Sequence, residues 1–239
     1  QCGSWTGSDV DKGQLPVSFR VPTGDFGDIF AGFVAARMGL PIERLVIATN
    51  VNDILARTLE TGRYEVRSVE PTTSPSMDIQ ISSNFERLLF EVSGRDASSV
   101  NRWMDGLKQS GSFTLDADTL AAITGRFDAA RTDEASCAET IRSLRQDTGY
   151  LADPHTAVAV AASRVSRGAP EVPMITLSTA HPAKFPDAVE AASGVRPGLP
   201  AWLSGLHERE ERFIRLPAKL SAVADPIQSS TRVVAEGVE

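Results

Sequence analysis

At 239 residues, with 41% hydrophobic and 23% charged side chains, the chain has room for one large or two small domains and the composition of an ordinary soluble globular protein. A formal net charge of −7 argues against a nucleic-acid partner, which wants Lys and Arg clustered on one face. Its two cysteines, Cys2 and Cys137, form no C-x-x-C pair, so neither a disulfide framework nor a metal site is expected, and a reducing compartment, the cytoplasm, suits the composition.

No apolar run is long enough to span a bilayer, so no membrane partner is expected. Residues 1–16 are rich in Gly, Ser, Asp and Gln and read as a disordered leader. They lack the basic n-region and apolar core of a signal peptide. The chain does not begin with Met and reads as a fragment or a processed product.

Val17–Val21 is β-branched enough for a strand, and Pro22 ends it because it cannot donate to a ladder. Thr23-Gly24-Asp25-Phe26-Gly27-Asp28 then forms a glycine turn. Ile29, Phe30, Phe33, Val34 and Met38 recur at helical spacing up to Gly39. A glycine turn lets a ligand approach the backbone, and the helix N-terminus behind it offers an anion unpaired N–H groups and a favourable dipole. The alternative is a plain strand-to-helix connection.

Leu45–Ala48 is a second, buried strand. Asn52 or Asp53 can cap the helix that runs to Leu59, and Gly62 closes it. Strand, helix, strand, helix predicts an α/β protein with a parallel sheet. Glu70–Met77, with two Pro, two Thr and two Ser, reads as a loop. Ser83 and Glu86 have capping-box spacing before a helix that buries Phe85, Leu88 and Leu89.

From residue 96 to 149 the pattern predicts three amphipathic helices, about 98–109, 116–127 and 133–146, with no strand between them. This block is expected to be a helical insertion, with Cys137 as a small core residue. It would divide an α/β cofactor domain into residues 17–95 and 150–216. Asp153 and Pro154 start another helix as N-cap and N1. Val172–Leu177 is a strand, Ser178–Pro182 its C-terminal turn, and a helix from Lys184 to Ala192 follows. Phe213–Leu216 reads as a last short strand, and 217–239 as a tail that frays from Asp225 onward.

In open α/β sheets, ligands bind beyond the carboxyl ends of the strands, where the strand order switches. Three polar loops occupy such ends: 22–28, 49–53 and 178–182. Other chemistries fit poorly. Asp25-Phe26-Gly27 matches a kinase triplet, but no H-R-D or A-P-E accompanies it, and no G-x-S-x-G elbow exists. His155 and His181 do not form an H-E-x-x-H pair. His155, at a helix start, reads more readily as structural than as a base. His181, inside a candidate ligand loop, is evenly balanced between the two.

Five stretches, in order, resemble threonine synthase of the longer bacterial and fungal type. They are Pro22–Ile29 (P-T-G-N-F-G-D in the family), Ala48–Asp53 (A-T-N-x-N-D), Ser74–Ile79 with Ser82–Leu89, Asp153–Val158 and Ser178–Phe185. The resemblance runs from about residue 17 to 216. It implies the tryptophan-synthase-β-like (fold type II) architecture of pyridoxal-phosphate enzymes, in which O-phosphohomoserine and water become threonine and phosphate by β,γ-replacement.

Residue by residue, it implies that the backbone of Gly24, Asp25, Phe26, Gly27 and Asp28 cradles the phosphate of pyridoxal 5'-phosphate. Thr179 would meet the pyridine nitrogen. Asn50, Asn52, Asp53, His155, His181 and Lys184 are candidates for lining the site.

Three departures bear on this. None of the four lysines, Lys12, Lys108, Lys184 and Lys219, stands in the family's S-F-K-D-type Schiff-base motif. No catalytic residue is therefore assigned, and the chain is read as the C-terminal portion of a longer enzyme, inactive without its N-terminal half. Residues 1–16 do not resemble what precedes the loop in the family. Asp25 stands where the family has Asn. The alternative function is a non-catalytic α/β module that binds a phosphorylated ligand.

Overall fold

A computed structural model describes residues 15–165 and 171–230. The chain divides into two compact units, Gln1–Gly198 and Leu199–Glu239. The larger is built on a parallel four-stranded sheet of order β5-β2-β1-β6, with β1 at Val17–Pro22, β2 at Ile42–Thr49, β5 at Phe127–Arg131 and β6 at Met174–Thr176. A two-stranded antiparallel pair, β3 (Arg63–Glu65) with β4 (Ser112–Thr114), stands apart from it.

Helices cover both faces of the main sheet, as its apolar strands require. In β2, Leu45 and Ile47 join a core with Ile29 and Phe33 of α1 (Gly27–Arg37), Ile54 and Leu55 of α2 (Ile54–Thr61), and Phe85, Leu88 and Leu89 of α3 (Phe85–Val92). Val100 and Trp103 of α4 (Ala97–Ser110) and Ile123 of α5 (Ala117–Thr124) complete this layer. Ala48 of β2 joins the second cluster, with Cys137 and Ile141 of α6 (Glu134–Thr148) and four small residues, Ala157, Val158, Ala159 and Ala162, of α7 (Pro154–Val165). Small side chains let α7 lie close against β1, β2 and β5. Ala192 of α8 (Pro186–Ser193) closes this layer over α6.

Several sequence expectations are corrected. The 96–149 block holds its three helices but also β4 and β5, and β5 pairs in parallel with β2 from Leu45↔Phe127 to Thr49↔Arg131. Phe-Asp-Ala-Ala-Arg is too short and mixed for its strand character to stand out beside longer helical runs. The Ser83–Glu86 capping box does not form. Helix α3 starts after Asn84 without a side-chain cap, because Asn84 is spent elsewhere: its N–H and Nδ2 donate to the Asp25 carbonyl at 2.9 and 3.0 Å. Helix α2 also lacks a side-chain cap.

Among its described residues, the smaller unit has 3-10 turns at Ala201–Leu203 and Leu206–Glu208 and one helix, α9 (Leu220–Ser230). Residues 213–216 form no strand, and α9 continues through Asp225 to Ser230 instead of fraying. The leader expectation for residues 1–14 and the tail beyond 230 lie outside the described residues.

Candidate functional site

Strand β1 is where the sheet changes direction: β2 lies on one side and β6 on the other. The loops leaving β1 and β6 therefore open into one crevice, the place where such sheets bind ligands. A depression of about 170 Å³ lies there, lined by Pro22, Gly24, Asp25, Asp28, Ser76, Met77, His155, Thr179, Ala180 and Lys184.

Hydrogen bonds to α3 and its approach shape the glycine loop. Ser82 Oγ donates to the Gly24 carbonyl at 2.7 Å, and Asn84 grips the Asp25 carbonyl. Across a trans peptide the C=O and N–H oppose each other, so the N–H groups of Asp25 and Phe26 point away from α3. Phe26 has φ 71°, a left-handed conformation costly for a bulky residue. Its ring compensates by filling the core against Phe85 and Phe127, with centroids 5.3 and 5.7 Å away. Phe26 therefore faces the interior and does not line the depression. Gly27 does not line it either: its N–H donates to Asp25 Oδ1 at 3.1 Å.

Gly24 is required sterically. A Cβ there would lie 2.7 Å from the Ser76 carbonyl oxygen and 3.1 Å from Met77 Cα. Ser76 and Met77 come from a short 3-10 turn, Pro75–Met77. Sequence reasoning matched Ser74–Ile79 to a family stretch yet assigned none of it to the site. The Pro-Ser-Met turn carries no charged or nucleophilic signature that would have revealed it.

Asn50 and Asn52 do not reach the depression; they hold the segment that forms its wall. Asn50 Nδ2 donates to Asp78 Oδ1 at 2.8 Å and to Ser74 Oγ at 3.0 Å, while its Oδ1 accepts from the Asn52 N–H at 2.9 Å. Asn52 pairs with the Glu70 backbone in both directions, at 2.8 and 2.9 Å. Asp78 also accepts from the Thr72 N–H and Oγ1, at 2.7 and 2.6 Å. Asp53 points elsewhere. It pairs with Arg57 at 2.8 Å and Arg131 at 3.5 Å, beside a separate cavity that it shares with Glu60 and Asp128. The cause is position: β2 lies between β1 and β5, away from the switch point.

His155 lies at the inner wall, 4% exposed. Its Nδ1 is 2.8 Å from Asp153 Oδ2, and its Nε2 accepts the Ser76 N–H at 3.2 Å. Asp153 also accepts the N–H groups of His155 and Thr156, at 2.9 and 3.1 Å, and the Thr156 hydroxyl. Burial pushes the Asp153 carboxyl up, but the bonds from His155 and Thr156 outweigh it and hold it below the ordinary range.

Thr179 and Lys184 form the outer rim. The Ser178 hydroxyl anchors their loop, 3.0 Å from Tyr150 Oη and 3.3 Å from Thr156 Oγ1. His181 is exposed and outside the depression; its Nδ1 caps the 182–184 turn through the Ala183 N–H at 3.1 Å. Cys137 is buried core: its thiol donates to the Pro154 carbonyl, and burial pushes its pKa up to about 12.

The depression combines a close glycine turn, a helix N-terminus and one lysine at the rim, which suits the phosphate end of a ligand. Asp25 and Asp28 oppose an anion there. Among the described residues no cluster of three or more His, Cys, Asp or Glu could hold a metal. No described helix is long and apolar enough to cross a membrane.

Comparison with known proteins agrees in sequence and in structure. Residues 156–227 match the family described as "Threonine synthase, C-terminal". Threonine synthase of Pseudomonas aeruginosa is 50% identical over 209 residues, 87% of this chain and 44% of its own. The crystal structure of PLP-bound threonine synthase from Brucella melitensis superposes with a TM-score of 0.84 at 56% identity, over 94% of this chain and 48% of that one. Yeast threonine synthase gives a TM-score of 0.77 at 40% identity, over 89% of this chain and 47% of that one. The chain thus spans about half the length of the relatives it matches. It corresponds to the C-terminal portion of threonine synthases and has the α/β architecture of the fold type II enzymes.

Proposed function

We propose that this chain supplies the cofactor-phosphate cradle of a threonine synthase, an enzyme that converts O-phosphohomoserine and water to threonine and phosphate by pyridoxal-phosphate-dependent β,γ-replacement. The carrying observation is the meeting of the β1 loop, the Pro75–Met77 turn and the β6 loop in one depression at the switch of strand order. The relative with 56% identity over 94% of this chain is described as PLP-bound.

In this reading the backbone of Gly24, Asp25 and Asp28 holds the phosphate, and Lys184 adds a positive charge at the rim. Thr179 presents a neutral hydroxyl to the pyridine nitrogen, and such a partner leaves that nitrogen largely unprotonated. Bound pyridoxal phosphate would supply the electron-accepting ring that the replacement needs. His155, its two nitrogens engaged, orients the wall and does not move protons. Asn50 and Asn52 fix the 70–78 segment from behind. The Schiff-base lysine would come from the enzyme's N-terminal half, outside this sequence, and the cytoplasm is the proposed location.

Equilibrium dialysis of pyridoxal phosphate against the wild type and Gly24→Val tests the cradle. Binding by the wild type that the variant loses is the expected result; equal binding, or none, contradicts it. A second reading, a phosphate-binding module without chemistry, rests on one observation: Lys184, the lysine that lines the depression among the described residues, stands in no S-F-K-D motif. The purified chain alone is expected to release no phosphate from O-phosphohomoserine, and release would contradict the need for a lysine from elsewhere.

A further inference from the structure

His155 joins two segments that meet only in the folded chain. A backbone N–H can donate but not accept, so the Ser76 N–H at 3.2 Å requires a lone pair on His155 Nε2. The ring proton is then on Nδ1, where it donates to Asp153 Oδ2 at 2.8 Å. Phe185 packs on the ring with centroids 4.6 Å apart, so it cannot turn freely. The Ser76 held in this way is the same residue whose carbonyl would lie 2.7 Å from a Cβ on Gly24. A continuous chain of contacts, Asp153 to His155 to Ser76 to Gly24, runs from the start of α7 to the glycine loop. Gly24, Ser76 and His155 all line the depression.

We propose that His155 is a positioning residue that sets the width of the phosphate cradle: neutral and Nδ1-protonated, it pins the Ser76 N–H and holds the Pro75–Met77 turn against Gly24. The inference rests on the cradle reading above and deepens it. Asp153 fixes the tautomer, and the remaining charged groups lining the depression, Asp25, Asp28 and Lys184, lie beside the ligand. His155 itself offers a ligand no hydrogen bond; it acts through the Ser76 backbone.

Two isosteres separate this role from a merely structural one. His155→Gln places a carbonyl near the Nε2 position and keeps an acceptor for Ser76. His155→Asn mimics the Nδ1 side, keeps the bond to Asp153 and abandons Ser76. Both give up one hydrogen bond. Equilibrium dialysis with pyridoxal phosphate should show about five- to tenfold weaker binding for His155→Asn, as expected for a stranded buried N–H, and near-wild-type binding for His155→Gln. Amide exchange at Ser76 should accelerate in His155→Asn only.

Equal losses in both variants, or none in either, would overturn the proposal. If the wild type binds no pyridoxal phosphate, the cradle reading falls. Ser76 exchange still decides whether His155 positions the turn: unchanged exchange in His155→Asn overturns that too.

Discussion

Two polar clusters stand at the carboxyl ends of neighbouring strands, and they end up in opposite states. Beyond β2, the groups of Asn50, Asn52, Thr72, Ser74 and Asp78 are turned on one another. Beyond β1 and β6, the glycine loop and the 178–184 loop leave an open depression with Asp25, Asp28, Thr179 and Lys184 around it. The first cluster spends its hydrogen bonds on holding a loop, and the second directs its groups outward. Polar residues after a strand mark a ligand site only when the fold leaves them unspent, and the strand order decides which end opens.

The contrast can be broken most severely at Asp78. Four hydrogen bonds converge on its carboxylate, from Asn50, Asn52 and Thr72, so Asp78→Ala should lower stability by about 4 kcal/mol through stranded donors. Urea denaturation measures it, and Asp28→Asn at the open depression should change stability by less than about 0.5 kcal/mol. Similar losses at the two sites would erase the distinction.

Asp153 comes next. Asp153→Asn should cost about 3 kcal/mol, the scale of hydrogen bonds to a charged acceptor. Because its folded pKa is depressed, its contribution is full above the unfolded value of about 3.9 and disappears as pH falls through the folded value. In acid titrations of stability, the gap between wild type and variant should therefore close below about pH 4. A gap that persists there would contradict the assignment.

Gly24→Ala, with its Cβ 2.7 Å from the Ser76 carbonyl, should destabilise by about 2 kcal/mol through overpacking and abolish pyridoxal-phosphate binding. A smaller effect is expected from Asp25→Asn. The amide oxygen keeps the bond from the Gly27 N–H while one negative charge leaves the rim, so pyridoxal phosphate should bind about three- to tenfold more tightly. Unchanged affinity in dialysis would mean that Asp25 does not face the phosphate.

Much of the fold was legible because its signals are local. Pro22 after a β-branched run, Gly62 behind its helix, and the Asp153-Pro154 start are each written in a few residues. Strand β5 was not: it is a half-buried edge strand whose identity depends on β2 beside it, residues 45–49 being its partners. The capping-box reading failed for a related reason, since Asn84 found a better use 59 residues away in sequence. Around the depression, the loops after β1 and β6 were readable from their chemistry. Ser76 and Met77 were not, because a wall made of backbone has no residue signature. Asn50, Asn52 and Asp53 looked like site residues because periodicity does not reveal strand order.

Backbone amide chemical shifts followed during titration with pyridoxal phosphate show where the ligand sits. Perturbations confined to residues 24–29, 76–77 and 179–184 are expected, with the Asn50–Asp53 and Thr72–Ser74 amides unmoved. Shifts centred on Asn50, Asn52 or Asp53, or a titration that moves no amide near Gly24, would contradict the cradle reading.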